Sequence, residues 1–116
     1  MTTDGKEQRV FLALADPVRR RLLERLSAEG RKTATELAQE MPITRQGVSK
    51  HLQILAKAEL VQVQKSGRER YYSFEPDPLD EAVTWVTAVS EQWDRRLQAL
   101  SRFLAEDEDK SVGDNK

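Results

Sequence analysis

The chain has no cysteine. It therefore forms no disulfide, offers no thiolate to a metal and carries no thiol redox switch. It has one histidine, His51, so a histidine cluster for metal or for general-base relays is excluded. No Gly-rich phosphate loop precedes a helix, and no metal triad is spaced along the chain. Catalytic residues, metal ligands and cofactors are accordingly none, and an enzyme is the weakest functional class. No apolar run approaches the ~20 residues that a membrane-spanning helix needs. The opening MTTDGKEQRV is polar and lacks the apolar core of a secretory signal, which sets a cytoplasmic location as the expectation. Aromatic residues make up only 6%. What remains is 38% hydrophobic and 34% charged residues over 116 positions, enough for one domain with a modest core and a highly charged surface.

The formal net charge of -1 hides a division. Residues 1–74 hold 14 Lys and Arg against 9 Asp and Glu; residues 75–116 hold 5 against 11. From Thr44 to Arg70 six basic residues face only Glu59 and Glu69. A positive stretch of this kind is an electrostatic footprint for phosphate.

That stretch starts with TRQGVSKHLQILAKA, Thr44 to Ala58. At about 100° per residue a helix here stacks Val48, Leu52 and Leu55 on one side. Arg45, Gln46, Ser49, Lys50, Gln53 and Lys57 gather on the other, with no acid among them. Amide, hydroxyl and cationic groups together are what reading a base edge requires. A shorter helical segment precedes it across Met41-Pro42-Ile43, the layout of a helix-turn-helix whose second helix enters the DNA major groove.

The remaining elements follow in order. Met1 to Gly5 is expected to fray. Lys6 to Ala15 carries Val10, Phe11 and Leu14 at helical spacing. Asp16 and Pro17 suit the cap and first position of a second helix, Pro17 to Ala28, which buries Val18, Leu22, Leu23 and Leu26 and stops at Gly30. Thr33 and Glu36 form a capping box for a third helix, with Leu37, Ala38 and Met41 inward and Pro42 as its end. Thr44 caps the fourth helix. Gly47, in its first turn, permits close approach to the third helix or to DNA.

After Leu60 the period changes. VQVQKSGRERYYSF alternates and centres on Ser66-Gly67, which predicts a β-hairpin with Val61, Val63, Tyr72 and Phe74 on one face. Lys65, Arg68 and Arg70 cluster at its tip. A basic hairpin directly after a reading helix is a wing, placed to touch phosphates or the neighbouring minor groove.

Asp77-Pro78 repeats the helix start. A long helix over Leu79 to Ala105 follows, with Ala82, Val86, Val89, Trp93, Leu97, Leu100 and Leu104 at alternating steps of four and three for most of its length. A body this small does not need so long a stripe. A second copy of the chain is its simplest cover, with the first helix (Val10, Phe11, Leu14) assisting. Trp85 lies off the stripe, and both tryptophans are better read as packing residues than as a ligand pocket. From Glu106 the acidic, polar EDEDKSVGDNK is expected to be disordered. The domain expectation is thus 6–105 for DNA binding and dimerisation and 106–116 for an acidic tail. The fold class is mainly α with a small β-hairpin wing (α+β), a winged helix-turn-helix dimeric through its N- and C-terminal helices.

The helix order, SKHLQILAKAELV, the wing KSGRERYYSF, the long closing helix and the opening FLALADPVRRRLLERL together resemble the ArsR-type winged-helix repressors. The resemblance spans residues 8–104. It implies a homodimer that binds a palindromic double-stranded DNA operator, often near its own gene, and represses transcription. The family's metal sensors carry cysteines in the third helix or His and acid ligands in the final one. Here the third helix reads TATELAQEM and the final helix has no histidine; Asp80, Glu81, Glu91 and Asp94 would make only a weak hard-cation site. The chain is therefore most similar to the metal-independent branch, and no small-molecule inducer is nominated.

The DNA-binding expectation falls on ten residues. Thr44 caps the reading helix and donates to a phosphate. Arg45 and Gln46 point to bases or adjacent backbone, Ser49 and Lys50 lie on the groove side, and Gln53 is further along the same face. Lys65, Arg68 and Arg70 serve from the wing. Thr33 brings a helix N-terminus to a phosphate, beside its plainer role as a cap. His51 shares the wheel position of Val48 and Leu55, so it reads as a packed histidine bonded to a neighbouring carbonyl. Two other functions stay open from sequence: a winged-helix protein-interaction module without operator binding, and a transcriptional activator of the same fold.

Overall fold

The structure is a computed structural model that describes the backbone of residues 5–114 and the side chains of residues 5–106. Its elements are α1 (Gly5–Leu14), α2 (Pro17–Glu29), α3 (Ala34–Gln39), α4 (Arg45–Lys57), β1 (Val61–Ser66), β2 (Glu69–Phe74) and α5 (Asp77–Asp114). The expected order of helices and hairpin holds throughout.

Local chemistry sets the boundaries. Asp16 accepts from the Val18 and Arg19 amides at 2.7 and 3.3 Å, which caps α2 ahead of Pro17. Gly30, at φ 85°, returns its N–H to the Leu26 carbonyl and ends that helix. Thr33 and Glu36 exchange both bonds of the capping box, 2.9 and 3.1 Å. Thr44 Oγ1 accepts from the Gly47 amide at 3.1 Å.

Three features differ from local expectation. The C-terminal carbonyls of α1 are capped from α2: Arg19 donates to Leu12 and Ala13, and Arg20 to Leu14. The end of α4 closes through Glu59 at φ 61°. Leu60 N–H reaches Leu55 O and Glu59 N–H reaches Ala56 O, the paired bonds of a Schellman ending, with a glutamate where glycine is the usual choice. Helix α5 begins at Asp77 itself, whose amide is bound by Glu75 Oε1, rather than using Asp77 as a cap.

The core of the first unit, Met1–Ala82, is a single cluster. Leu22 and Leu26 of α2, Leu37 of α3, Val48, Leu52 and Leu55 of α4 and Leu60 are all at most 2% exposed. The hairpin pairs antiparallel in the register Val61↔Phe74, Val63↔Tyr72 and Lys65↔Arg70. Val61, Val63, Tyr72 and Phe74 thus share a face, with Val61 and Tyr72 buried and Val63 exposed. Lys32 and Tyr72 exchange backbone bonds of 3.0 and 2.8 Å, so the α2–α3 connection adds one rung to the hairpin and fixes it beside α3.

One nominated interface residue is reassigned. Val10 is 1% exposed and belongs to the core with Ala13. Phe11 and Leu14 are half-buried against that core, and the apolar residue that α1 leaves outward is Leu12. Ala13 completes the buried face of α1 with Val10, and an alanine is too small to mark that face in the apolar pattern.

The second unit is Val83–Lys116. Along it Val86, Val89, Trp93, Leu97, Leu100 and Leu104 are each 44–56% exposed. The helix runs on to Asp114, past the expected end at Ala105, so the disorder expected from Glu106 is corrected for residues 106–114. Glu, Ala and Lys are good helix formers, and neither Pro nor Gly interrupts before Gly113. Of the fraying expected at Met1 to Gly5, Gly5 instead opens α1, and residues 1–4, like the tail at Asn115 and Lys116, lie outside the described residues.

Candidate nucleic-acid interface

Helix α3 packs on α4, and β2 packs against both α2 and α3. This arrangement opens a groove of about 420 Å³ between the start of α3, one side of α4 and the wing tip. Six nominated residues line it: Thr33, Arg45, Ser49, Gln53, Arg68 and Arg70. Arg45, Ser49 and Gln53 are spaced at four residues and form one strip along α4. Gln46 and Lys50 are exposed on the adjacent strip, further from the core. Thr44 is exposed at the helix start with its hydroxyl engaged in the cap.

Thr33 is 9% exposed, and its hydroxyl accepts from Glu36 N–H. Its side chain is therefore a structural cap at the groove floor. On the wing, Gly67 at φ 64° takes the first central position of the two-residue turn, where a type II′ hairpin needs positive φ. Arg68 follows at the apex. Lys65 stands directly opposite Arg70. Like charges facing across a strand pair are destabilising by themselves, so this rung is suited to a bound anion.

Four further residues belong to the site. Thr35, Glu69 and Tyr72 line the groove, and Arg31 braces the wing from its other face. The Arg31 guanidinium lies 4.6 Å from the centre of the Tyr71 ring and 3.3 Å from Gln64 Oε1. Tyr71 neighbours the Glu69 carboxylate, which accepts from its phenol. That bond, then the carboxylate's charge, holds the phenol above its ordinary range despite Arg31. Glu69 escaped the sequence reading, although its place between Arg68 and Arg70 on the wing was the signal that could have found it. No sequence signal placed Arg31 on Tyr71, because the contact joins segments far apart in the chain.

His51 is half-buried, as expected, but its partner is not a carbonyl. Its Nδ1 lies 3.3 Å from Arg19 Nη1. Among the described residues, no three His, Cys, Asp or Glu side chains are grouped to hold a metal ion, and no helix is long and apolar enough to cross a membrane.

A body of four helices, among them a helix-turn-helix with an exposed polar reading face, together with a basic two-stranded wing defines a winged helix-turn-helix protein. Comparison with known proteins agrees. Residues 14–64 match the family described as a helix-turn-helix domain. The chain is 35% identical over 104 residues to the HTH-type transcriptional regulator Rv2034 of Mycobacterium tuberculosis, covering 90% of this chain and 94% of that protein. It is 33% identical over 88 residues to the transcriptional repressor SdpR of Bacillus subtilis, covering 76% and 97%. The solved ArsR-like transcriptional regulator from Rhodococcus sp. RHA1 superposes with a TM-score of 0.73 at 33% identity, over 84% of this chain and 92% of that one. The chain belongs to the ArsR-type winged helix-turn-helix transcriptional regulators. It is a DNA-binding transcriptional regulator, and its family and fold are those of regulators, not enzymes.

Proposed function

We propose that the chain is a homodimeric repressor that occupies a palindromic operator, near its own gene, in the cytoplasm. The observation that carries this reading is the convergence of Arg45, Ser49 and Gln53 with Arg68 and Arg70 on one groove. Helix α4 enters the major groove. Gln46, Ser49, Lys50 and Gln53 face base edges, where lysine suits guanine acceptors and glutamine suits adenine. Thr44, Arg45, Lys65, Arg68 and Arg70 hold phosphates and so set register and affinity. Thr33 places the start of α3 beside the backbone of the duplex.

Dimerisation supplies the second half-site. The support is the apolar stripe of α5, whose Val86, Val89, Trp93, Leu97 and Leu100 are exposed in the single chain at coiled-coil spacing. Phe11 and Leu14 contribute their half-buried edges. Residues 6–105 thus carry both tasks. Two copies of α4 reach half-sites about one duplex turn, ~34 Å, apart, and bivalence raises the affinity of a small module. Repression is supported by a relative that bears the name of a repressor. The signal is independent of metals, a reading supported by the absence of cysteine and by the single, engaged histidine.

The test is binding to DNA from the protein's own upstream region beside a scrambled duplex. Lys50→Ala is expected to weaken specific binding by ~1–3 kcal/mol and leave non-specific binding nearly unchanged. Arg68→Ala is expected to weaken both and to flatten the salt dependence by about one phosphate contact. Equal losses on both duplexes for Lys50→Ala remove it from base reading, and an unchanged salt slope removes Arg68 from phosphate binding.

A further inference from the structure

The described hydrogen bonds around Arg19 join three helices at one guanidinium. Its Nε donates to Ala13 O at 2.8 Å and its Nη2 to Leu12 O at 3.0 Å, which closes the end of α1. Its Nη1 lies 3.3 Å from Nδ1 of His51 on α4 and 3.9 Å from the carboxylate of Asp16. The arginine side chain is 14% exposed, so these contacts form with little water to replace them. Helices α1, α2 and α4 pack on one another around it.

A guanidinium only donates hydrogen bonds. The ring nitrogen facing it must therefore accept, which places the imidazole proton on Nε2. A second proton on Nδ1 removes the acceptor and sets two cations face to face. The charged groups against this ring come from α2 and its cap. Arg19 opposes the cationic form and Asp16 favours it, while α1 presents the Leu12 and Ala13 carbonyls to the same arginine. Although burial pulls Asp16 upward, the Val18 and Arg19 amides and then the Arg19 guanidinium take it below its ordinary range. Its carboxylate is already bonded to those amides.

His51 follows Lys50 directly on α4. The same helix buries Val48, Leu52 and Leu55 in the core, so the Arg19 contact adds a polar tie beside that apolar face. We infer that Arg19 and His51 are a proton-sensitive positioning pair that ties the end of α1 to the reading helix and holds α4 in its DNA-reading attitude. The inference rests on the reading of α4 as the DNA-contacting helix. Neither residue touches DNA in this scheme. The neutral pair holds α4, and uptake of one proton at His51 Nδ1 releases it.

The test uses the full chain, a duplex enriched from a random pool by the wild-type protein, and a scrambled duplex. Affinities are compared at about pH 7.5 and about pH 5.5. Wild type is expected to lose about tenfold of its preference for the enriched duplex on acidification, the scale of one charge-assisted hydrogen bond. His51→Asn places Oδ1 where Nδ1 stands and does not ionise, so its preference is expected to change less than about twofold. Ring nitrogen shifts in the unmodified protein are expected to report the Nε2–H tautomer at neutral pH, with the Arg19 Nε resonance moving as the ring titrates. This measurement holds even where the variant does not fold. A proton on Nδ1 at neutral pH, an Arg19 signal indifferent to the ring, or identical pH profiles for wild type and His51→Asn overturns the pair alone. A wild type without preference at pH 7.5 overturns the DNA-reading role of α4, and this inference with it.

Discussion

Replacing Gly47 by alanine tests how the turn of the helix-turn-helix is built. In a helix interior the change from glycine to alanine stabilises by about 1 kcal/mol. Here the added Cβ falls 2.7 Å from Ile43 Cγ2 and 3.3 Å from Thr44 Oγ1, inside the ~3.5–4.0 Å at which carbon atoms meet. Ile43 is β-branched, so its methyl cannot retreat without turning the whole side chain. Thr44 Oγ1 is the cap acceptor for the Gly47 amide itself. Overpacking of this kind costs about 1–3 kcal/mol, which outweighs the propensity gain. Gly47→Ala is expected to destabilise by about 1 kcal/mol in urea unfolding at unchanged m-value. In an Ile43→Ala background the obstructing methyl is gone, and the same change is expected to stabilise by up to about 1 kcal/mol. Gly47→Ala stabilising the chain with Ile43 intact would refute the account. The close approach that glycine permits is thus to the turn before α4, not to α3.

Other perturbations report on separate parts. Glu59→Gly relieves the left-handed backbone after α4 and is expected to add up to about 1 kcal/mol, less whatever the exposed Lys6–Glu59 pair contributes; a fall in unfolding free energy contradicts the strain at φ 61°. Glu36 is held below its ordinary carboxyl range by the Thr33 amide and then the Thr33 hydroxyl. A depressed carboxylate contributes stability above its unfolded value of about 4.5, and that contribution is lost as pH falls through the lower folded value. Glu36→Gln keeps a capping box and is expected to flatten the acid limb of a stability-against-pH curve; an unaltered limb removes Glu36 from the linkage. Trp93→Asp places a charge in the centre of the α5 stripe and is expected to give a monomer in sedimentation; an intact dimer places the seam elsewhere.

Much of this architecture was readable because its causes are local. Asp16-Pro17, Thr33 with Glu36, and Thr44 each announce a helix start within four residues, and the structure realises all three caps. The alternation around Ser66-Gly67 predicted the hairpin and its shared face, while the turn itself falls one residue further on, at Gly67-Arg68. The groove residues followed from periodicity on α4 combined with the wing tip. What was not readable depends on contacts between distant segments. Arg19 and Arg20 cap α1 from across a turn, a role that no local pattern announces. His51 appeared rightly as packed, but its arginine partner lies 32 residues away. Arg31 joins the wing only because Lys32 pairs with Tyr72. Val10 lies in the core rather than at the surface because Ala13 completes the buried face of α1 with it. The extension of α5 to Asp114 shows that acidic composition alone does not end a helix of good helix formers.

The central claim is that two copies of α4 and its wing read two half-sites. Footprinting the protein on its own upstream DNA, at moderate salt and with a scrambled competitor, tests this most directly. The account predicts two protected blocks related by inverted symmetry, with centres about one helical turn, ~34 Å, apart, and loss of protection in Lys50→Ala. A single protected block, or protection that the scrambled competitor abolishes equally, contradicts it.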